Sequence, residues 1–244
     1  MKYFPTSSVG SARIVSFTRQ GALARARRIR PARLLSPLRM TAFLFSGSIL
    51  IGFGVSFLLH AHLGLPPYDV MLSAIRVHSG LTHGQSAWVA AAVLFSVSAL
   101  LGRPPKPAGL ALSFLNGFSV DVAGALLVDP DQLMVRILFA GLGTVAIAAG
   151  ISLVVYSGTT GGAFDLLMLA GEDRGLRAQR VRTVLEVSVI VGGVVAGGTA
   201  GFATVAFAIL IGPLLTGISQ ALSDHQAGRE NRIRQTDGVD LPVG

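Results

Sequence analysis

Four carboxylates lie within or beside stretches apolar enough for a bilayer: Asp69, Asp121, Asp165 and Glu186. An ionisable side chain is expensive to place there, so each marks a functional site by default. The chemistry within reach is reversible binding of a proton or cation, or contact with a polar headgroup. Asp69 closes the stretch Gly64-Leu65-Pro66-Pro67-Tyr68-Asp69. Pro66 and Pro67 fix the backbone and lack donor groups, so Asp69 falls in the first turn of a helix, where the dipole favours negative charge. Asp165 stands in the same relation to Gly161 and Gly162. Two roles are open for each Asp, a helix-start cap or one wall of a binding cavity with Tyr68 beside it, and the roles are compatible. Gly64, Pro66, Pro67, Gly161 and Gly162 are then the hinges of two broken helices.

Glu186 follows Arg182 by four residues and shares its helical face, which fits either an ion pair near the interface or part of a site. Asp121 has no counter-ion nearby in the sequence, and Asn116 reads as a polar contact between helices. Trp88 and Tyr156 read as interfacial anchors. His60, His62, His78 and His83 do not fall on a shared face, so no metal site is expected. With no cysteine, disulfides, thiolate ligands and a Cys nucleophile are excluded. No nucleophile elbow or phosphate-binding glycine loop occurs, and the Gly192-Gly193 and Gly197-Gly198 pairs read as close packing. The expectation is a protein that is not an enzyme and uses no cofactor.

The elements that must position these residues are membrane spans. Hydrophobic residues make up 51% of the chain and charged residues 13%, with a mean hydropathy of +0.64, which defines an integral membrane protein. The net charge of +8 is concentrated before residue 40 and at loop ends. That pattern suits an anionic membrane surface and argues against nucleic acid as a partner. Residues 1–38, rich in Arg and free of acid, read as a basic cytoplasmic tail, with a transit peptide as the other reading. Residues 224–244 form a polar C-terminal tail. Six stretches, 41–62, 84–101, 108–128, 134–156, 181–197 and 203–222, approach the roughly 20 apolar residues that cross a hydrocarbon core. Two shorter pieces, 66–78 and 162–172, do not.

The two halves, 39–130 and 131–223, look like copies. Asp69 and Asp165 are 96 positions apart, as are Gly47 and Gly143, and Gly54 and Gly150. After a one-residue slip, 95 positions relate Gly80 to Gly175, Gly102 to Gly197 and Gly117 to Gly212. If the short pieces dip in without crossing, each half crosses three times and the second copy must be inverted, the plan of many secondary transporters. If they cross, eight spans and parallel repeats result. Counting exposed Lys and Arg gives a tie, since each arrangement leaves two of them outside. Length favours six spans, and crossing would also place each Asp in or near lipid at roughly 2.5–3.5 kcal/mol. The expected fold is therefore all-α and polytopic: six transmembrane helices, two short re-entrant helices and an inverted repeat, with both termini cytoplasmic.

Arg39 with Gly47, Gly52 and Gly54, then Gly64-x-x-Pro67-Tyr68-Asp69-Val70 and Gly80-Leu81-Thr82-x-Gly84, resembles the YczE-type integral membrane proteins of bacteria, within the wider YczE/YyaS/YitT-like group. The second half agrees through Gly175-Leu176, Arg180-Val181-Arg182, Glu186, and Gly201, Thr204, Ala208 and Gly212-Pro213. The resemblance covers about residues 39–222 and implies the bacterial cytoplasmic membrane without implying a reaction. Members commonly carry Trp where this chain has Tyr68, and an arginine before the second Asp where it has Phe164.

Two functional classes follow. One is a small secondary transporter or exporter of an unknown small molecule or ion, with carboxylates at the repeat interface. The other is a non-transporting scaffold or accessory subunit, whose glycine-rich faces meet a membrane-protein partner. Because the chain lacks cysteine, single cysteines at Arg76 and Lys106 report topology directly. With six spans, an impermeant thiol reagent on intact cells labels position 76 and spares 106. The reverse pattern establishes eight.

Overall fold

The computed structural model describes residues 37–158 and 162–236, with side chains described for 38–158, 162–177 and 180–222. Within these residues there are eight helices: α1 (Pro37–Ala61), α2 (Pro67–Ser79), α3 (His83–Leu100), α4 (Pro107–Leu126), α5 (Leu133–Tyr156), α6 (Ala163–Glu172), α7 (Ala178–Val195) and α8 (Phe202–Thr236). The short helices predicted at 66–78 and 162–172 are α2 and α6, each shifted at its start by one residue. α1 from Leu38, α3, α4, α5 and α8 as far as Leu222 are long and apolar enough to cross a membrane. α7 occupies the predicted span at 181–197, but Arg180, Arg182 and Glu186 keep it out of that set of five. Residues such as Phe45, Phe114, Phe118, Leu138, Val191 and Ile209 are exposed. In water that surface would be costly, whereas helices whose backbone groups are satisfied internally present it to lipid without penalty.

The centre of the bundle is the crossing of α1 and α5. A Cβ on Gly47 would lie 2.8 Å from the Gly150 carbonyl oxygen, and one on Gly54 would lie 2.7 Å from that of Gly143. Low-numbered α1 meets high-numbered α5, so the two helices run antiparallel with their backbones in contact. Lipid supplies no hydrophobic force between helices, so this closeness is what gives the contact its dispersion energy. α4 packs on α1 and α8 on α5. Val55, Leu58, Val120, Ile147, Phe207 and Ile211 form the apolar core between them.

The short helices attach to the opposite half of the chain, α2 to α7 and α6 to α3. Gly193 and Gly198 press on the α2 backbone at Met71 and Val70, while Ala91 and Phe95 pack on Ala163 and Leu166. Each attachment is finished in the same way. His78, near the end of α2, bonds the carbonyl of Ala196, the residue that caps α7, at 2.9 Å. Arg174, after α6, donates to the carbonyl of Leu101, the residue that caps α3, at 2.6 Å. These cationic or donor groups meet helix carbonyls that have no intrahelical partner. Positive-φ glycines follow both caps, Gly102 at 84° and Gly197 at 79°. Beside the Arg174 contact, Arg103 forms a two-pronged pair with Asp173. The hydrogen bond from Arg103 holds the exposed Asp173 carboxyl below its ordinary range. The pair is therefore present at neutral pH and is lost as pH falls through that lowered value.

Side chains added at the α1–α5 crossing must push two backbones apart. Gly54→Val and Gly150→Val are each expected to lower stability by about 1–3 kcal/mol, as overpacking does. Gly141, with no neighbour within 4 Å of its Cβ position, accepts Val with little packing effect. Thermal unfolding of the purified protein in detergent checks the contrast. Equal losses at all three positions would rule out the close crossing.

Candidate functional site

The break between α1 and α2 is built into the backbone. Gly64 has φ of 117°, and a Cβ there would meet the backbone nitrogen of Gly201 at 2.6 Å. The Leu63 carbonyl accepts a hydrogen bond from Ala203 N at 2.8 Å, so the turn is held against the start of α8. Pro66 and Pro67 then open α2, which aims Asp69 inward. Asp69 is buried and bonds the Nε2 of His83 at 3.0 Å, with side-chain exposures of 12% and 4%. The carboxylate that the sequence offers as a helix cap thus bonds a histidine across the loop.

Asp121 finds its partners on either side of His83. Its Oδ1 accepts from Gly84 N at 2.8 Å, and its Oδ2 from Thr82 Oγ1 at 2.6 Å. Thr82 and Gln85 form a reciprocal capping box at 3.0 Å in each direction. Asp121 therefore sits at the positive end of α3, where a carboxylate is favoured. Gly84 makes room for it, because a Cβ there would lie 2.1 Å from the Gly117 carbonyl oxygen. Gly117 in turn faces Trp88, whose Nε1 donates to Phe114 O at 3.2 Å.

Between the ends of α1 and α4 and the loop joining α2 to α3 there is a cavity of about 290 Å³. Leu59, Val120 and Gly124 give it an apolar side. Its polar lining includes His60, His62, His83, Asp121 and Asp129, with Arg76 contributed by α2. His62 Nε2 lies 3.1 Å from Asp129, and His60 Nε2 lies 3.8 Å away. Arg136 donates to the carbonyls of Ala61 and His62 at 2.7 and 2.9 Å, closing the end of α1. This holds His62 at a φ of 51°, a conformation that is uncommon for a side chain with a Cβ. Among the described residues, no group of three or more His, Asp or Glu is arranged to hold a metal ion.

Residues 38–220 match the pattern of a family described as "Family of unknown function (DUF6198)". The chain belongs to this family. It is similar to "Uncharacterized membrane protein YczE" of Bacillus subtilis (strain 168), 33% identical over 156 residues that cover 63% of this chain and 72% of that protein. No solved structure matches it. It is a multi-pass, helical, YczE-type membrane protein.

In this DUF6198 member, the residues singled out from the sequence separate. Tyr68 and Phe164, which precede the two aspartates, meet ring to ring with centroids 6.0 Å apart. Asp69 turns from there to His83, whereas Asp165 is exposed and does not line the cavity. Arg182 and Glu186 pair with each other at 2.8 Å, on α7 and outside the cavity. Gly162 precedes α6, and Gly161 lies outside the described residues. Tyr156 is buried with its ring edge-on to Phe43, where an interfacial anchor was expected. Sequence spacing missed His83, since a residue 14 positions from Asp69 and across a turn has no periodic relation to it. The capping pattern Thr82-x-x-Gln85 was the available signal, because it marks where α3 begins and so where His83 sits.

Breaking the Asp69–His83 pair leaves one buried polar group without its partner, at roughly 1–3 kcal/mol. Asp69→Ala and His83→Ala should each lower the thermal midpoint, and the double variant should cost clearly less than the two added together. Strict additivity in detergent unfolding would mean that the pair is not formed.

Proposed function

We propose that this protein is a small, non-enzymatic secondary transporter or exporter of the bacterial cytoplasmic membrane. It is built as an inverted repeat of two three-span units, with both termini cytoplasmic. The observation that carries the proposal is the set of contacts at positions 95 or 96 apart. Exchanging the halves turns Gly47–Gly150 into Gly143–Gly54, Tyr68–Phe164 into itself and His78–Ala196 into Arg174–Leu101. The counterpart helices α1 and α5 are antiparallel, as an axis lying in the membrane plane requires. Inverted repeats with broken helices at their interface are the architecture of many alternating-access carriers.

Several further features support this plan. α7 presents Val184, Val187, Val191 and Val194 to the outside, which suits a sixth crossing whose charges sit near one end. Arg103, Lys106, Arg174, Arg177 and Arg180 gather at the end opposite the cavity. This basic end is read as cytoplasmic, so the cavity opens to the outside. Its substrate is an unknown small molecule or ion, and the Asp69–His83 pair is the ionisable element beside it.

A specific observation favours the second reading, a scaffold or accessory subunit. Asp121 and Glu186 are each satisfied by nearby groups, as purely structural acids would be. One comparison separates the two. Untargeted metabolite profiling of cells with and without the protein should reveal a solute whose distribution changes. Asp69→Asn should insert normally and reproduce the deletion, while the exposed Asp165→Asn retains function. A wild-type profile for Asp69→Asn would remove the transport site from this cavity.

A further inference from the structure

One carboxylate at the end of α1 stands between two imidazoles. His62 Nε2 lies 3.1 Å from Asp129 Oδ2, and His60 Nε2 lies 3.8 Å from Asp129 Oδ1. The second distance is too long for a hydrogen bond. The far side of the His60 ring fixes where its hydrogen sits. Nδ1 is 2.8 Å from the backbone carbonyl oxygen of Ser56. A carbonyl oxygen can only accept, so Nδ1 carries a hydrogen whether the ring is neutral or charged. Nε2 is therefore the nitrogen that gains and loses a proton. In the neutral ring it is a bare acceptor facing a carboxylate oxygen, with no hydrogen between them. Adding a proton turns the same contact into a charge-assisted bond, for which about 2.7–2.9 Å is usual, so the contact has about 1 Å left to close.

The two partners belong to different elements. His60 is in the last turn of α1, with 17% of its side chain exposed. Asp129 is on the irregular stretch 127–132 that joins α4 to α5. It lines the cavity and yet has 61% of its side chain exposed, which puts it where the cavity meets solvent. The other charged or titratable groups nearby are committed or constant. Asp121 accepts from Thr82 and Gly84, and His83 bonds Asp69. Arg76, on the same lining, stays charged throughout. Arg136, from α5, is held by the carbonyls of Ala61 and His62, which fixes the end of α1. His62 also titrates, but it already lies within reach of Oδ2, so its proton changes the charge and not the distance.

From this geometry we propose that His60 is a proton-binding site that operates the mouth of the cavity. Its Nε2 takes a proton from solvent, and the resulting ion pair with Asp129 draws the α4–α5 loop onto the end of α1, narrowing the entrance. Release of the proton to solvent frees the loop again. No bond other than N–H forms or breaks. The inference deepens the proposed transport function by naming the ion that regulates the cavity. It rests on that reading only for the word transport, since closure is measured without flux.

The test exploits the lack of cysteine. Gly124 lines the cavity, and a Cβ there meets His60 Cε1 at 3.8 Å and Ser56 Oγ at 3.9 Å, which is ordinary contact. Gly124→Cys therefore places a single thiol inside without displacing the surrounding side chains. Its reaction rate with a thiol reagent is measured on the detergent-purified full-length protein from about pH 8 to about pH 5, the span in which imidazoles take up a proton. Dividing by the rate for Lys106→Cys, at an exposed position, removes the pH dependence of the thiol itself. The ratio should fall roughly 3- to 10-fold on acidification, between the worth of an exposed ion pair and that of a buried charge-assisted bond. His60→Gln and Asp129→Asn, each made in the Gly124→Cys protein, should hold the ratio constant, and the exposure of Asp129 leaves folding of its variant intact. His62→Asn, a residue that tolerates a φ of 51°, should keep the fall. A constant ratio in the Gly124→Cys protein overturns the proposal, and so does a fall that survives Asp129→Asn. A fall kept by His60→Gln and lost in His62→Asn overturns it as well. A pH step in a protein that moves no solute in the metabolite comparison retains the proton site and loses the transport reading, whereas solute movement with no step does the reverse.

Discussion

The contact on which the rest of this bundle depends is the backbone crossing of α1 and α5. In lipid, two apolar helices gain nothing by leaving solvent, so they adhere only as far as their surfaces fit. Glycine at 47, 54, 143 and 150 lets carbonyl oxygens approach to a distance no side chain allows. Placing these residues seven apart on each helix keeps both contacts on one face. Once the two long helices are fixed antiparallel, α4 and α8 follow onto their flanks. Ser56 reinforces the first of these flanks by donating to Val120 O at 2.7 Å.

The short helices solve a different problem. A helix of 10 or 13 residues is too short to cross a hydrocarbon core by itself. Each is therefore docked on a long helix of the other half, with His78 or Arg174 on that helix's last carbonyl. The same arrangement delivers Tyr68 and Phe164 to a shared contact. It also sets the start of α2 beside the start of α3, which lets a carboxylate and an imidazole meet in a buried place. The two short helices then differ. The first opens with two prolines and finds a histidine, whereas the second opens on glycine and leaves Asp165 exposed. This asymmetry concentrates the polar chemistry in one cavity.

The carboxylates show how far spacing can be read. Arg182 and Glu186 lie within one helix, so the four-residue interval was enough to pair them. Asp121 lacked a counter-ion because its partners are the amide of Gly84 and the hydroxyl of Thr82, on another helix. No period links residues 37 or more positions apart. Arg76 served in the sequence only as a marker of topology, and nothing in its neighbourhood marked it as lining one cavity with His83 and Asp121.

By itself the sequence determined the long helices and the two interruptions. Each of these follows from composition and local order: runs of apolar residues, and prolines and glycines that end helices. Tertiary structure alone decided which acids are neutralised by local partners and which one is joined to a buried histidine. It also decided that Arg76, His83 and Asp121 line one cavity. Those outcomes depend on which helix ends meet in space, and the packing of glycine backbones sets that far from the residues concerned.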